Sequence, residues 1–234
     1  MNNVTRGLLG LAIGASALVV AACGGGDDGG TVEGVDADAL LESAAARMDE
    51  VDAFHFVLTQ ENGTTDILMG LELVAAEGDI AGADRAQLEV RAKLGSSNLS
   101  LEMIILPEAS YMTNPLTGRW QEAEISISSF FNPEIGVTAL MRAVTEAKAT
   151  RRVQVGGVDT YLVEALVDSG NLDLFAAGAA PGRELVARAW IGVAEPFVYR
   201  VEIEGAVIEG EAANTVRRLE LSRFDEPVEI SAPR

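Results

Sequence analysis

The chain has 234 residues, 48% of them hydrophobic, and carries 36 acidic against 17 basic side chains, a formal net charge of −19. That excess of carboxylates repels phosphate backbones and anionic head groups, which argues against nucleic-acid binding and against a broad basic membrane-docking surface. A single Cys and a single His exclude an internal disulfide and the Cys/His class of metal site.

At the N-terminus Arg6 precedes an apolar run, Gly7 to Val20, and Val20-Ala21-Ala22 closes it with small residues, the layout of a secretory leader. The run is about 14 residues, short of the roughly 20 that cross a bilayer as a helix. Val20-Ala21-Ala22-Cys23 resembles the bacterial lipobox, in which the Cys is acylated and becomes the first residue of the mature chain. Residues 1–22 are therefore expected to be a lipoprotein signal peptide and Cys23 the lipidation site. Residues 23–36 read as a flexible tether, because Gly24 to Gly34 offers only Val32 as a bulky apolar side chain. Two or three acyl chains would hold residues 37–234 stably at the extracytoplasmic side of the cell membrane.

Asp36 to Val51 is predicted as a first helix. Leu40, Leu41, Ala44, Met48 and Val51 recur at helical spacing behind an acidic cap. The period then changes to two. Phe54, Phe56 and Leu58 alternate with His55 and Thr59. Asn62-Gly63 predicts a hairpin into a strand carrying Ile67, Met69, Leu71 and Leu73. Two further strands hold Leu88, Val90, Ala92 and Leu94, then Leu99, Leu101, Met103 and Ile105, joined by Gly95-Ser96-Ser97. Phe130-Phe131-Asn132-Pro133 introduces a second helix with Val137, Leu140, Met141 and Val144, expected to end near Arg151 or Arg152. Strands are expected again at 158–167, 185–191, 197–207, 216–221 and 228–230, with a short helix near Leu172 to Ala176. No repeat and no second linker divides this stretch, so a single domain is expected.

About ten strands at roughly 4.8 Å spacing make a sheet on the order of 48 Å wide. Two helices, each about 10 Å across, shield less than half of its apolar face. Such a face must curl, close on itself, or be covered by something other than protein. The residues alone leave these three open.

No catalytic constellation stands out. His55 lies on the polar side of its strand and reads as a surface or rim histidine rather than a general base. The acids lack a D-x-D-x-D-G spacing and read as solvated surface, so no metal and no cofactor is expected. Asn62-Gly63-Thr64 and Asn98-Leu99-Ser100 match the glycosylation pattern by chance if the lipobox is real. Met69, Met103, Met112 and Met141 suit an irregular apolar interior. Trp120 and Trp190 read as core or interface anchors.

Seven segments follow one another in an order that resembles the LppX/LprA/LprF/LprG family of bacterial envelope lipoproteins: RMDEVDAFHFVL, AAEGDI, YMTNPLTGRW, FFNPEIG, GVDTYLV, RAWIG and LSRFDEPVEISAP. The likeness runs from about Asp38 to Pro233 and departs at Gly82-Ala83-Asp84-Arg85, which lacks a proline before the Asp. It implies an α+β fold, a strongly curved antiparallel half-barrel of about ten strands with helices on the concave face and a hydrophobic cavity between. It also implies a role without a chemical step: binding acylated lipids or glycolipids and carrying them within the envelope, a membrane transporter being a further candidate partner. Leu71, Leu101, Met103, Leu140, Met141 and Val144 are the expected cavity residues, where strand and helix faces should meet. Two other readings stay open: a protein-binding envelope sensor on the same fold, and a lipid hydrolase dependent on His55.

Overall fold

The computed structural model describes residues 31–68, 71–125, 136–172, 179 and 181–234. Cys23, Met69, the Phe130-Phe131-Asn132-Pro133 segment and all but the start of the expected 172–176 helix lie outside them.

Helix α1 spans Ala37–Asp49, capped by Asp36, whose carboxylate accepts from the Ala39 amide at 3.1 Å. Its buried face is Ala37, Leu41, Ala44 and Ala45. Strand β1 (Ala53–Glu61) follows, then β2 (Thr65–Leu68), β3 (Leu71–Ala81), β4 (Arg85–Leu94), β5 (Ser97–Ile105), β6 (Ser110–Thr113) and β7 (Trp120–Glu122). Alternation is cleanest in β4, where Ala86, Leu88, Val90 and Ala92 are buried between exposed neighbours. Helix α2 (Val137–Ala143) leads to β8 (Thr145–Val155), β9 (Val158–Asp168), β10 (Glu184–Gly192), β11 (Val198–Glu204) and β12 (Val216–Ser222).

These twelve strands form one sheet in the order β7-β6-β5-β4-β3-β1-β12-β11-β10-β9-β8, with β2 paired to β3. Every pairing is antiparallel. The chain starts at the centre, meanders to the β7 edge, passes through α2 to the β8 edge and meanders back, so β12 lies beside β1. The result is a curved open sheet with helices on one face, and the α+β expectation holds. Both helices rest on the C-terminal half: α1 against β8 and β10, α2 against β9, and each against the other.

Four details depart from the sequence reading. Asn62-Gly63 makes no β1–β2 hairpin, because β1 and β2 both pair with β3, one after the other along the same edge. Asn62 takes φ 60° there, and a Cβ on Gly63 would sit 2.7 Å from Thr215 Oγ1, so the dipeptide serves a kink and a close approach rather than a reversal. Helix α2 stops at Ala143, since Val144 turns extended at φ −72°, ψ 155°. The stretch to Arg152 belongs to β8, where Thr145, Thr150, Val153 and Val155 favour a strand paired with β9. Residues 228–230 form no strand, although Ile230 is buried. Val32 is not idle either, because it packs against the core with Val35 and its amide donates to Ala149 O at 2.6 Å.

Candidate functional site

Beneath the two helices the sheet is floored with small side chains. Ala165 of β9 lies directly opposite Ala187 of β10, and Ala189 is flanked by Val163 and Val201. Leu41 of α1, with Met141 and Val144 at the end of α2, comes down on this floor. The space they enclose is about 10 Å³. That is barely room for one water, against roughly 300–1,000 Å³ for a ligand pocket. Among the described residues, the side chains around this space are apolar except for Arg188.

The helices are tied to one another at the surface. Arg142 of α2 donates to Asp49 of α1 at 2.8 Å and reaches Glu42 at 3.8 Å. The Asp49 carboxylate pushes the guanidinium further up from its ordinary pKa. At the C-terminal end of α1, Arg47 lies 4.2 Å over the Phe197 ring, which stacks on Phe224 at 4.4 Å.

Of the six expected cavity residues, Leu101, Met103, Leu140 and Met141 are buried in one core, and Val144 packs against it. Met141 and Val144 also line the space under the helices. Leu71 is half-buried at the β2–β3 end and stands apart from that core. The alanine floor was not singled out in the sequence, although the alternation of Ala187 and Ala189 in VARAW marks two small residues on one strand face.

Arg217 was also missed. It is fully buried and pairs with Glu211, whose other carboxylate oxygen accepts from the Val207 amide at 2.7 Å and from Ile208 at 3.3 Å. Arg217 also donates to Gly205 O at 3.3 Å and Thr65 Oγ1 at 3.4 Å, closing the 205–215 loop over one end of the sheet.

On the opposite, outer face lies a polar groove of about 270 Å³ between His55, Glu77, Asp79, Gln87, Glu89, Glu102 and Trp120. His55 is half-buried on the polar side of β1, 2.9 Å from Asp79, and Arg223 contacts both. Among the described residues its side-chain partners are an acid and a base. Trp190 is buried beneath Arg200, 5.2 Å from its ring.

A curved antiparallel sheet, with its chain start and end paired at the centre and a helix layer over an apolar interior, defines an architecture shared with solved lipoproteins. LprF from Mycobacterium bovis superposes with a TM-score of 0.65 at 18% identity, covering 84% of this chain and 96% of that one. LppX from Mycobacterium tuberculosis gives 0.60 at 17% identity, covering 83% and 97%. The family model described as LppX_LprAFG lipoprotein matches residues 36–230, and the chain belongs to that family. Among named relatives, the "Lipoarabinomannan carrier protein LprG" of Mycobacterium tuberculosis strain H37Rv is 26% identical over 231 residues, 95% of this chain and 92% of the relative. The protein of the same name from Mycolicibacterium smegmatis is 22% identical over 197 residues, 81% and 82% of the two chains.

Proposed function

We propose that this chain is an envelope lipoprotein, anchored through Cys23 on the extracytoplasmic side, that carries acylated lipids or glycolipids in its interior and performs no chemical step. The observation that carries this reading is the helix layer itself: α1 and α2, linked through Arg142, rest on a floor that Ala165, Ala187 and Ala189 share with Val163 and Val201. A floor of small residues leaves room for an acyl chain once the helices lift. The carrier named among its relatives supplies the cargo class. Removing about 300 Å² of acyl surface from water gains on the order of 7 kcal/mol, which is set against the helix-to-sheet packing that opening gives up. Leu101, Met103, Leu140, Met141 and Val144 line the path of that chain, with Leu71 at its outer end.

The test is native mass spectrometry of residues 31–234, purified from a bacterial host without detergent and compared with the denatured mass. A stoichiometric adduct that extracts into organic solvent is expected. Met141→Trp, which fills the space over the floor, should lower occupancy about tenfold, or roughly 1.4 kcal/mol, in a chain that remains folded. A domain that stays empty after incubation with envelope lipids, and instead retains a protein, would replace this reading with the sensor.

A further inference from the structure

The chain enters the domain at one particular place. Val32 donates to Ala149 O on β8, and Val32 and Val35 pack into the core beside it. Strand β8 is the open edge of the sheet and, at eleven residues, far longer than the three-residue β7 at the other edge. It also carries three bases in an acidic protein. Lys148, Arg151 and Arg152 are exposed on it against one acid of the same strand, Glu146, while Glu164 of β9 lies opposite Lys148. Arg152 already donates to Asp159 at 2.8 Å.

We propose that the β8 edge is the surface this protein turns toward the bilayer, with Lys148, Arg151 and Arg152 meeting the phosphates of anionic lipids. This rests on the anchor at Cys23. Seven residues separate Cys23 from Thr31, eight Cα–Cα steps, a reach of at most about 29 Å. A chain of this size folds to a diameter of about 40 Å. The tether is thus shorter than the domain is wide, and it holds the β8 side nearer the membrane than the β7 side. Had the edge been as acidic as the rest of the surface, anionic head groups would push it away. The bases offset that repulsion locally, at the edge the tether brings nearest the membrane. Basic side chains on an edge strand also discourage strand-to-strand aggregation, a role that would be indifferent to lipid charge.

That difference decides the experiment. The full lipidated chain is reconstituted into vesicles of phosphatidylcholine alone or with about 30% phosphatidylglycerol. An environment-sensitive dye is placed through Val153→Cys on β8 or Leu116→Cys in the β6–β7 loop, and quenched by head-group nitroxide lipids. Acylation of Cys23 leaves the introduced thiol as the only one to label. Quenching at position 153 should exceed that at 116 at least twofold in anionic vesicles. The excess should fall by half or more in neutral vesicles, in about 0.5 M salt, and in K148E/R152E. Equal quenching at the two positions, or an excess blind to lipid charge, overturns the proposal, and aggregation of K148E/R152E with unchanged quenching assigns the bases to edge protection instead. The lipid-charge comparison needs no substitution on β8 beyond the dye site, so it decides even if the charge variant misfolds. Protein that does not float with vesicles and labels at two thiols refutes the anchor itself, a different failure from a floating protein with no preferred edge.

Discussion

The outer face of the sheet is built in two different ways. Across β9 to β12, and onto β1, charges of opposite sign face each other. Arg188 lies between Glu164 at 3.5 Å and Glu204 at 2.8 Å, Arg218 between Glu202 at 2.6 Å and Glu61 at 3.0 Å, and Arg200 meets Glu220 at 2.6 Å. Across β3, β4 and β5 the same pleat brings Glu77, Glu89 and Glu102 directly opposite one another. All three are exposed, and among the described residues none has an ion-pair partner; Ser100 donates to Glu89 at 2.9 Å. Directly opposed like charges on neighbouring strands destabilise a sheet, whereas opposite charges support it. One half is therefore stitched across its outer face, whereas the other carries three opposed carboxylates at the middle of its own, beside the lone favourable opposition of Glu72 and Lys93 among the described residues of β3 and β4. The helices rest on the stitched half, so the layer proposed to lift would have a firm base beneath it.

The largest effect is expected on the stitched side, at the buried pair of Arg217 and Glu211. Arg217→Ala leaves Glu211 buried without its cation and releases the 205–215 loop, a loss of about 3–5 kcal/mol. Urea unfolding measures it, and a loss well under 1 kcal/mol would show that the loop is held by other means. On the unstitched side, Gly78 faces inward opposite Phe56 and Leu88. A Cβ there would lie 2.2 Å from Gln87 O and 2.7 Å from Leu88 Cα, so β3 and β4 must part. Gly78→Ala should cost about 1–3 kcal/mol, with hydrogen exchange quickening in β3 and β4 and unchanged in β9 and β10. Quickening in both halves would mean that the sheet responds as one unit and the division is superficial.

How much of this could be read beforehand depended on whether the signal was local. The acidic cap of α1, open in the sequence between Asp36 and Asp38 and found at Asp36, and the period-two runs of β4 and β5 are local signals, and the structure bears them out. Asn62-Gly63 is a local signal with two structural uses, and only the pairing partner, β3 rather than β1, tells a kink from a hairpin. The α2–β8 boundary was hidden because Val137, Leu140, Met141 and Val144 satisfy a helix, while the strand that follows is dictated by β9. Arg217 was legible in part: it shares its parity with Leu219 and Leu221 and so had to face inward. Its partner Glu211 sits in a loop that no periodicity describes. The alanine floor joins two strands whose adjacency is a matter of topology, and its meaning depends on helices that come from elsewhere in the chain.

The smallest effect is the most pointed. Glu89 stands between Glu77 and Glu102, so Glu89→Lys turns two like-charge oppositions into two favourable ones at a single exposed site. The gain should be about 0.2–1 kcal/mol for each opposition relieved, less whatever the Ser100 hydrogen bond contributed. Because all these groups are exposed, salt screens them, and the rise in the urea midpoint should be larger at about 0.02 M than at about 0.5 M salt. A matching reversal on the stitched half, Arg188→Glu, should lower the midpoint with the same salt dependence. Should Glu89→Lys leave stability unchanged at low salt, the three carboxylates are too well solvated to repel. The two halves would then differ in charge pattern but not in stiffness, and the firm base beneath the helices would have to come from their packing alone.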